Sequence, residues 1–438
     1  MSLTFSGGVH PPAKKELAKG AQIEKMPVPG ELIIPMSQHI GAPCTPLVKK
    51  GDKVLMGQVI GDTEAFVSAP IHSSVSGEVT AVEPRPNSLG KKILSVVIKN
   101  DGEYKHFSEI AECPDCYSIT PEELRKKIRS SGIVGLGGAT FPTHVKLSPP
   151  KDFPIDTVII NGAECEPYLT ADYRLMLEDP VSVVEGLKLL LYILNANSGI
   201  IAIEDNKQNC IDIFEDQTAS IDNIKVLPVK TKYPQGAEKQ LIYSCLKRKV
   251  PAGGLPMNVG VVVHNALTSS KIYYSLKYGM PLISRIVTVS GEGIQHPKNL
   301  EVTIGTLFSD IIRFCGGFKG VPGKIIAGGP MMGFAQSALD VPVTKGTSGI
   351  LVFPEEMTHI PEEDVCFRCG KCVDVCPMKL MPYQLGQIAE FGDYEKAEEW
   401  NAMDCIECGS CSYVCPAKRR LVHYIKLLKA DILSRKRK

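Results

Sequence analysis

Two copies of one cysteine pattern limit this chain more than any other feature. Cys366, Cys369, Cys372 and Cys376 are spaced C-x2-C-x2-C-x3-C and followed by Pro377; Cys405, Cys408, Cys411 and Cys415, followed by Pro416, repeat the pattern 39 residues later. This is the bacterial-ferredoxin run for two [4Fe–4S] clusters, in which the fourth cysteine of each run ligates the other cluster. Three thiolates in a tight loop reach three corners of a cubane, and the fourth ligand comes from a distance. The spacing therefore predicts Cys366, Cys369, Cys372 and Cys415 on one cluster and Cys405, Cys408, Cys411 and Cys376 on the other. Two structural zinc sites are the alternative, because soft thiolates also suit zinc. Zinc pairs usually read C-x2–4-C twice, and the duplicated three-plus-one pattern ending in proline favours iron. A two-cluster domain is a wire, so a donor and an acceptor are expected.

The setting fits reduced thiols. The chain has 15 cysteines, and its N-terminus shows no basic region followed by an apolar core, so no secretory signal is expected and metal binding outranks a disulfide framework. The most apolar stretch, 181–203, contains Glu185, Lys188, Asn195 and Asn197 and does not read as a membrane span. Net charge is +1, which makes nucleic acid an unattractive partner. The charge is uneven: residues 355–404 hold twelve acidic and four basic side chains, and residues 416–438 hold nine basic and one acidic. The basic end has apolar residues at helical spacing, which suits contact with anionic lipid or a partner as well as it suits a solvated tail.

Residues of about 27–100 are rich in Val, Ile, Gly and Pro without helical periodicity, implying short strands. Residues 46–61 and 68–79 resemble the barrel-sandwich fold of lipoyl and biotinyl domains. The stretch where those families present a modifiable lysine is Glu64-Ala65-Phe66-Val67, so the resemblance implies fold and a packing role only. Farther on, Thr120-Pro121-Glu122-Glu123 is a capping-box helix start. Strands near 157–160, 199–203, 224–229 and 259–263 alternate with helices near 180–194, 209–214, 237–246 and 266–278. That alternation predicts a mostly parallel sheet covered on both sides, with ligands outside the carboxyl ends of its strands. Residues 284–328 read as β-β-α and one further strand. The expected division is 1–110, barrel-sandwich-like; 111–280, α/β; 281–345, a small β module; and 346–438, a helical two-cluster domain with a basic tail.

Between the first α/β helix and strand lies a loop with Gly132, Gly135, Gly137 and Gly138, then Thr140, Phe141 and Lys146. Glycines let backbone N–H groups approach a phosphate, and lysine adds a point charge. Thr140 stands at the last glycine position of G-x-G-x-x-G and the loop follows a helix, so it is not a Rossmann fingerprint. Three polar clusters sit at predicted strand ends: 161–167 with Asn161, Glu164 and Glu166; 233–238 with Tyr233 and Glu238; and 264–268 with Asn265. Their convergence on one sheet edge predicts a shared ligand pocket.

The motifs at 137–143 (GGATFPT) and 161–167 (NGAECEP), with the paired cassettes, resemble the FMN- and NADH-binding flavoprotein of respiratory complex I over about 120–330. With residues 5–12 (FSGGVHPP) added, nearly the whole chain resembles the RnfC family, the peripheral subunits of Rnf ferredoxin:NAD oxidoreductases. The resemblance implies that Gly135, Gly137, Gly138 and Lys146 hold the FMN phosphate region. It places Asn161, Glu164, Tyr233, Glu238 and Asn265 around the flavin, and Phe141 and Glu166 where NAD(H) stacks and hydrogen-bonds, as catalytic candidates. It also implies a β-grasp-like fold for the small module. The complex I pattern has Asp at Ala163, Gly at Thr140 and Cys165, and an acid at Ala237. The implied function is electron transfer between ferredoxin and NAD, coupled by integral membrane partners to Na⁺ or H⁺ translocation, with this chain peripheral on the cytoplasmic face. The rival readings are a soluble flavin/iron–sulfur corrin reductase of similar domain order and a cluster scaffold without catalysis.

Overall fold

The computed structural model describes residues 3–107 and 113–436. The expected boundary at 110/111 and the last two basic residues lie outside them. Strands Glu31–Pro35, Lys92–Asn100, Gly77–Pro86 and Lys53–Val54 form one antiparallel sheet, and Thr45–Pro46, Val59–Asp62 and Ile71–His72 form a second. Leu32, Ile34, Met36, Ile60, Ile71, Val79, Val96 and Ile98 fill the space between the sheets. The lysine-free tip docks rather than projecting. The Phe66 carbonyl meets His144 Nε2 at 3.1 Å, and Asp62 accepts from Arg129 at 2.9 Å, both across to the α/β unit.

The α/β unit is a parallel sheet in the order Ile224–Val229, Ser198–Glu204, Thr157–Gly162, Val261–Asn265. The Thr157–Gly162 strand is continuously apolar over Val158, Ile159 and Ile160, as a strand covered on both faces must be. The Pro121–Ser130 helix starts with the expected box: Thr120 Oγ1 accepts from the Glu123 N–H, and Glu123 accepts from the Thr120 N–H. Helices Pro180–Leu194 and Ala266–Tyr278 pack against each other on one face. The sheet has a switch point, because its first and fourth strands in chain order are neighbours. Their connections leave in opposite directions and open a crevice at the carboxyl ends.

The small module is larger than its sequence suggested. Its sheet has six strands, in the order Ile23–Lys25, Lys298–Thr303, Ser284–Ser290, Gly349–Pro354, Pro322–Ala327, Phe334–Gln336. The division at 345/346 is therefore corrected: Gly349–Pro354 is an interior strand, paired with Ser284–Ser290 and Pro322–Ala327. Residues 3–25 also leave the barrel. Leu3 bridges to Val229 at the α/β sheet edge, Val9 pairs with Tyr233, and Ile23–Lys25 joins the module.

The C-terminal domain has a helical core of Leu380, Leu385, Ile388, Ala397, Ala402, Ile425, Leu428 and Ile432. Over its described part the basic end is folded into the domain rather than a loose tail. It is the Leu421–Arg435 helix, buried through Leu421, Ile425, Leu428 and Ile432. Basic side chains in and beside it meet the acidic segment within the same domain, Arg420 with Glu363 (3.1 Å) and Lys436 with Glu398 (2.7 Å), while Lys429 meets Glu407 just beyond it (2.5 Å). Opposite charge blocks in the sequence are thus partly an internal match. No helix among the described residues is long and apolar enough to cross a membrane.

Candidate functional site

The crevice is built at the switch point. Asn161 and Asn265 are register partners on its two adjacent strands. Asn161 Nδ2 donates to the Gly236 carbonyl (2.8 Å), and its Oδ1 accepts from the Ala163 N–H (3.1 Å). Asn265 caps the Ala266–Tyr278 helix through the Thr268 N–H and donates to Asp172 Oδ2 at 2.6 Å. Both amides are therefore fixed by the protein, each clamping a turn that lines the crevice. Gly236 must be glycine, because a Cβ there would stand 2.3 Å from the Ala163 carbonyl.

The glycine loop folds onto this edge. The Gly135 N–H closes on the Phe141 carbonyl (2.9 Å), and the Leu136 N–H donates to Thr268 Oγ1 (2.8 Å). A Cβ at Gly137 would press on Asn265 at 3.1 Å, whereas one at Gly138 would meet nothing within 4 Å. Gly138 has φ +119°, so the loop turns there as only glycine does readily and leaves an open face. Lys146 pairs with Glu238 at 2.6 Å, which brings the loop's lysine to the first turn of the Glu238–Leu246 helix. Nearby, His264 Nε2 is buried without a hydrogen-bond partner, and burial with the Lys146 charge holds His264 well below its usual range. Thr143 Oγ1, just after Phe141, is also buried and unpartnered. Open glycine backbone, a lysine and unanswered polar atoms fit a phosphorylated ligand.

Three of the four remaining candidates are committed to protein partners. Glu164 is buried, accepting from the Asp172 N–H (2.9 Å) and lying 3.5 Å from Lys15 Nζ. Glu166 accepts from the Met331 and Met332 N–H groups at 3.0 and 2.9 Å. Burial outweighs these donors and pushes its carboxyl up to about 7. Tyr233 is fully buried, and its hydroxyl donates to the Cys408 carbonyl at 2.7 Å. Phe141 is half-buried at the end of the loop.

Several polar residues at the site carried no sequence signal. Lys15 reaches the Glu164 carbonyl at 2.7 Å, and burial lowers its affinity for a proton. Asp172 is raised well above the carboxylate range by burial and by Glu164. Arg285, lowered to about 10 by burial, faces Asp172. These side chains form a buried polar floor under the crevice, drawn from three distant segments.

The two cassettes repeat in backbone as well as sequence. Arg368, Gly370 and Lys379 have positive φ, as do Glu407, Gly409 and Lys418, each 39 residues later. Short helices Lys371–Asp374 and Ser410–Tyr413 follow the turns. Cys376, Cys405, Cys408 and Cys411 line one small cavity, walled by Leu380, Ile406, Val422 and Ile425 among others. Cys411 faces Cys408, Cys405 and Cys376, and Cys372 faces Cys415, Cys366 and Cys369. Burial pushes the Cys405 thiol up to about 11. A buried thiol of this kind becomes a thiolate when a cation replaces its proton. The Leu380 N–H points at Cys376 Sγ and the Glu407 N–H at Cys405 Sγ, both at 3.4 Å, the kind of donor that iron–sulfur ligands accept. The donor set fits a cluster. The remaining C-x-x-C, Cys113 and Cys116, is buried beside Lys277, the Cys113 N–H bonding to its carbonyl at 3.2 Å.

Four family models match in chain order: the RnfC barrel sandwich hybrid domain over 3–103, the Nuo51 FMN-binding domain over 128–274, the SLBB domain over 286–335 and the 4Fe-4S dicluster domain over 359–416. The C subunit of the Na⁺-translocating ferredoxin:NAD⁺ oxidoreductase complex of Acetobacterium woodii is 48% identical over 99% of this chain and 98% of its own length. Its counterpart in the proton-translocating complex of Clostridium ljungdahlii is 48% identical over 98% and 94%. The C subunit of the ion-translocating oxidoreductase complex of Rhodobacter capsulatus is 41% identical over 92% and 78%. Among solved structures, an NAD⁺-reducing [NiFe]-hydrogenase shares the fold with a TM-score of 0.50 at 18% identity, covering 73% of this chain and 62% of that one. With identity sustained from end to end in its relatives, the chain belongs to the RnfC family, the C subunits of ion-translocating ferredoxin:NAD oxidoreductase complexes.

Proposed function

We propose that the chain is the electron-transfer subunit through which a membrane complex exchanges electrons between ferredoxin and NAD(H), coupled to Na⁺ or H⁺ translocation by its membrane partners. The observation that supports this best is the pairing, in one chain, of an open glycine loop over a parallel-sheet switch point with a cavity walled by four cysteines from two cassettes. FMN bound in the crevice would exchange two electrons with nicotinamide as hydride and single electrons with the clusters. Gly135, Gly137, Gly138 and Lys146 would hold its phosphate end, while Asn161, Asn265 and Glu238 border the ring. Phe141 stands at the loop's mouth, where a dinucleotide would stack. Glu166 and Glu164 shape the crevice floor from behind, since their carboxylates are committed to protein N–H groups.

Two [4Fe–4S] clusters are assigned to Cys366, Cys369, Cys372 and Cys415, and to Cys405, Cys408, Cys411 and Cys376. The chain would sit peripherally on the cytoplasmic face. A soluble corrin reductase fits the domain order, but the relatives that match end to end bear the names of ion-translocating complexes. Gentle detergent extraction of a tagged chain tests the placement. Integral membrane companions are expected, and recovery of the chain alone in the soluble fraction would contradict it.

A further inference from the structure

One side chain bridges the crevice wall and the four-cysteine cavity. The Tyr233 hydroxyl donates to the Cys408 carbonyl at 2.7 Å, and its ring is 1% exposed. It packs with Val9 and Cys408, flanked by Cys165, Met331, Val375, Ile406 and Val414. Toward the crevice, Tyr233 is three residues before Gly236, whose carbonyl is held by Asn161. Its own backbone is locked by the N-terminal strap: the Tyr233 N–H donates to the Val9 carbonyl (2.9 Å) and the Val9 N–H to the Tyr233 carbonyl (2.8 Å).

The same strap grips the other cassette. The Gly8 N–H donates to the Val375 carbonyl at 2.7 Å, one residue before Cys376. A Cβ at Gly7 would stand 2.9 Å from the Cys376 carbonyl, and one at Gly8 would stand 2.6 Å from the Tyr233 carbonyl. Both glycines have positive φ, so the chain passes here only because it has no side chains. Gln240 Nε2 adds a bond to the Pro377 carbonyl at 3.2 Å. Cys408 and Cys376, from different cassettes but one cavity, are thus each tied to the loop that lines the crevice.

We propose that Tyr233 is a positioning residue: its hydroxyl bond to the Cys408 backbone sets the place and orientation of the group held by Cys376, Cys405, Cys408 and Cys411 relative to the crevice under the glycine loop. The proposal rests on the reading that these four cysteines hold one cluster.

The test compares full-length, cluster-loaded protein with its Tyr233→Phe variant, which keeps the ring and removes one hydroxyl. Tyr424→Phe is the control, because it removes a partly buried hydroxyl bonded to Glu363 elsewhere in the same domain. Three readouts apply: iron content, the electron paramagnetic resonance of the reduced clusters, and deuterium uptake by residues 405–411. In Tyr233→Phe the iron content stays constant, one of the two cluster signals changes line shape, and uptake at 405–411 rises about fivefold, the scale of one buried hydrogen bond. The changed signal is the one that Cys411→Ser abolishes. Unchanged resonance and uptake in Tyr233→Phe, or the same changes in Tyr424→Phe, would overturn the proposal. If unaltered protein shows no signal sensitive to Cys411→Ser, the cluster assignment itself fails, and the proposal falls with it.

Discussion

Cys376→Ser separates crossed ligation from ligation within each cassette. Cys376 belongs in sequence to the run with Cys366, Cys369 and Cys372, yet it lines the cavity with Cys405, Cys408 and Cys411 and is 8% exposed. Its sulfur receives the Leu380 N–H at 3.4 Å, and burial holds the free thiol above its usual range. A serine there offers a harder, more basic oxygen to a site shaped for a thiolate. Each cubane contains four irons, so losing one lowers the content from about eight to about four per chain. The assay is iron and acid-labile sulfide per chain on anaerobic protein, with resonance spectra of the reduced state to identify the survivor. Crossed ligation predicts that Cys376→Ser and Cys411→Ser remove the same signal, while Cys366→Ser and Cys415→Ser remove the other. If Cys376→Ser and Cys366→Ser eliminate one and the same signal, the crossed assignment is wrong.

Other outcomes follow from the crevice and its floor. Lys146→Ala removes the charge beside the glycine loop, so FMN affinity falls roughly tenfold or more, and the deficit shrinks at high salt; equilibrium dialysis at two salt concentrations checks this. Asn265→Ala removes a helix cap worth about 1 kcal/mol and strips Asp172 of a 2.6 Å donor, lowering the urea midpoint of the α/β unit. Glu166 has its folded value raised from 4.5 to about 7, so the folded state holds a proton that the unfolded chain has already lost between those pH values. The associated stability is fully present below about pH 4.5 and is lost as pH rises through about 7, at most about 3 kcal/mol. Urea unfolding at pH 5 and pH 8 should show a larger loss in the unaltered protein than in Glu166→Gln, which keeps the contribution of Asp172; an equal loss in both would remove Glu166 as a source.

Local chemistry was legible in the sequence wherever a few neighbouring residues suffice to produce it. The cassettes announce their ligands because a cubane needs three thiolates in seven residues. Thr120 announces a helix start because its partner, Glu123, is three positions away. Pro180–Leu194 and Ala266–Tyr278 are bounded by their own caps, Asp179 and Asn265. What stayed hidden is set by distant partners. Ile23–Lys25 is a strand only because Lys298–Thr303 offers it an edge, and Gly349–Pro354 joins a sheet whose other strands precede it by up to about 325 residues of chain. Nothing beside Lys15 or Arg285 in the sequence marks them, because Glu164 and Asp172 come to them only through the fold. Glu166 and Tyr233 illustrate the same limit at the site. Their positions beside crevice loops were readable, but the directions of their side chains depend on the Met331–Met332 backbone and on Cys408, which sequence spacing does not bring near.

The proposed function requires that one chain join a flavin, which trades hydride with a pyridine nucleotide, to iron–sulfur clusters. Anaerobic titration of the purified, cofactor-loaded protein with NADH, followed by visible absorption and then by low-temperature resonance, puts that requirement to the plainest test. Bleaching of a flavin band near about 450 nm is expected together with the appearance of reduced-cluster signals in the same sample. Protein that holds its iron yet shows no such band, or whose band and clusters both ignore NADH, would contradict it.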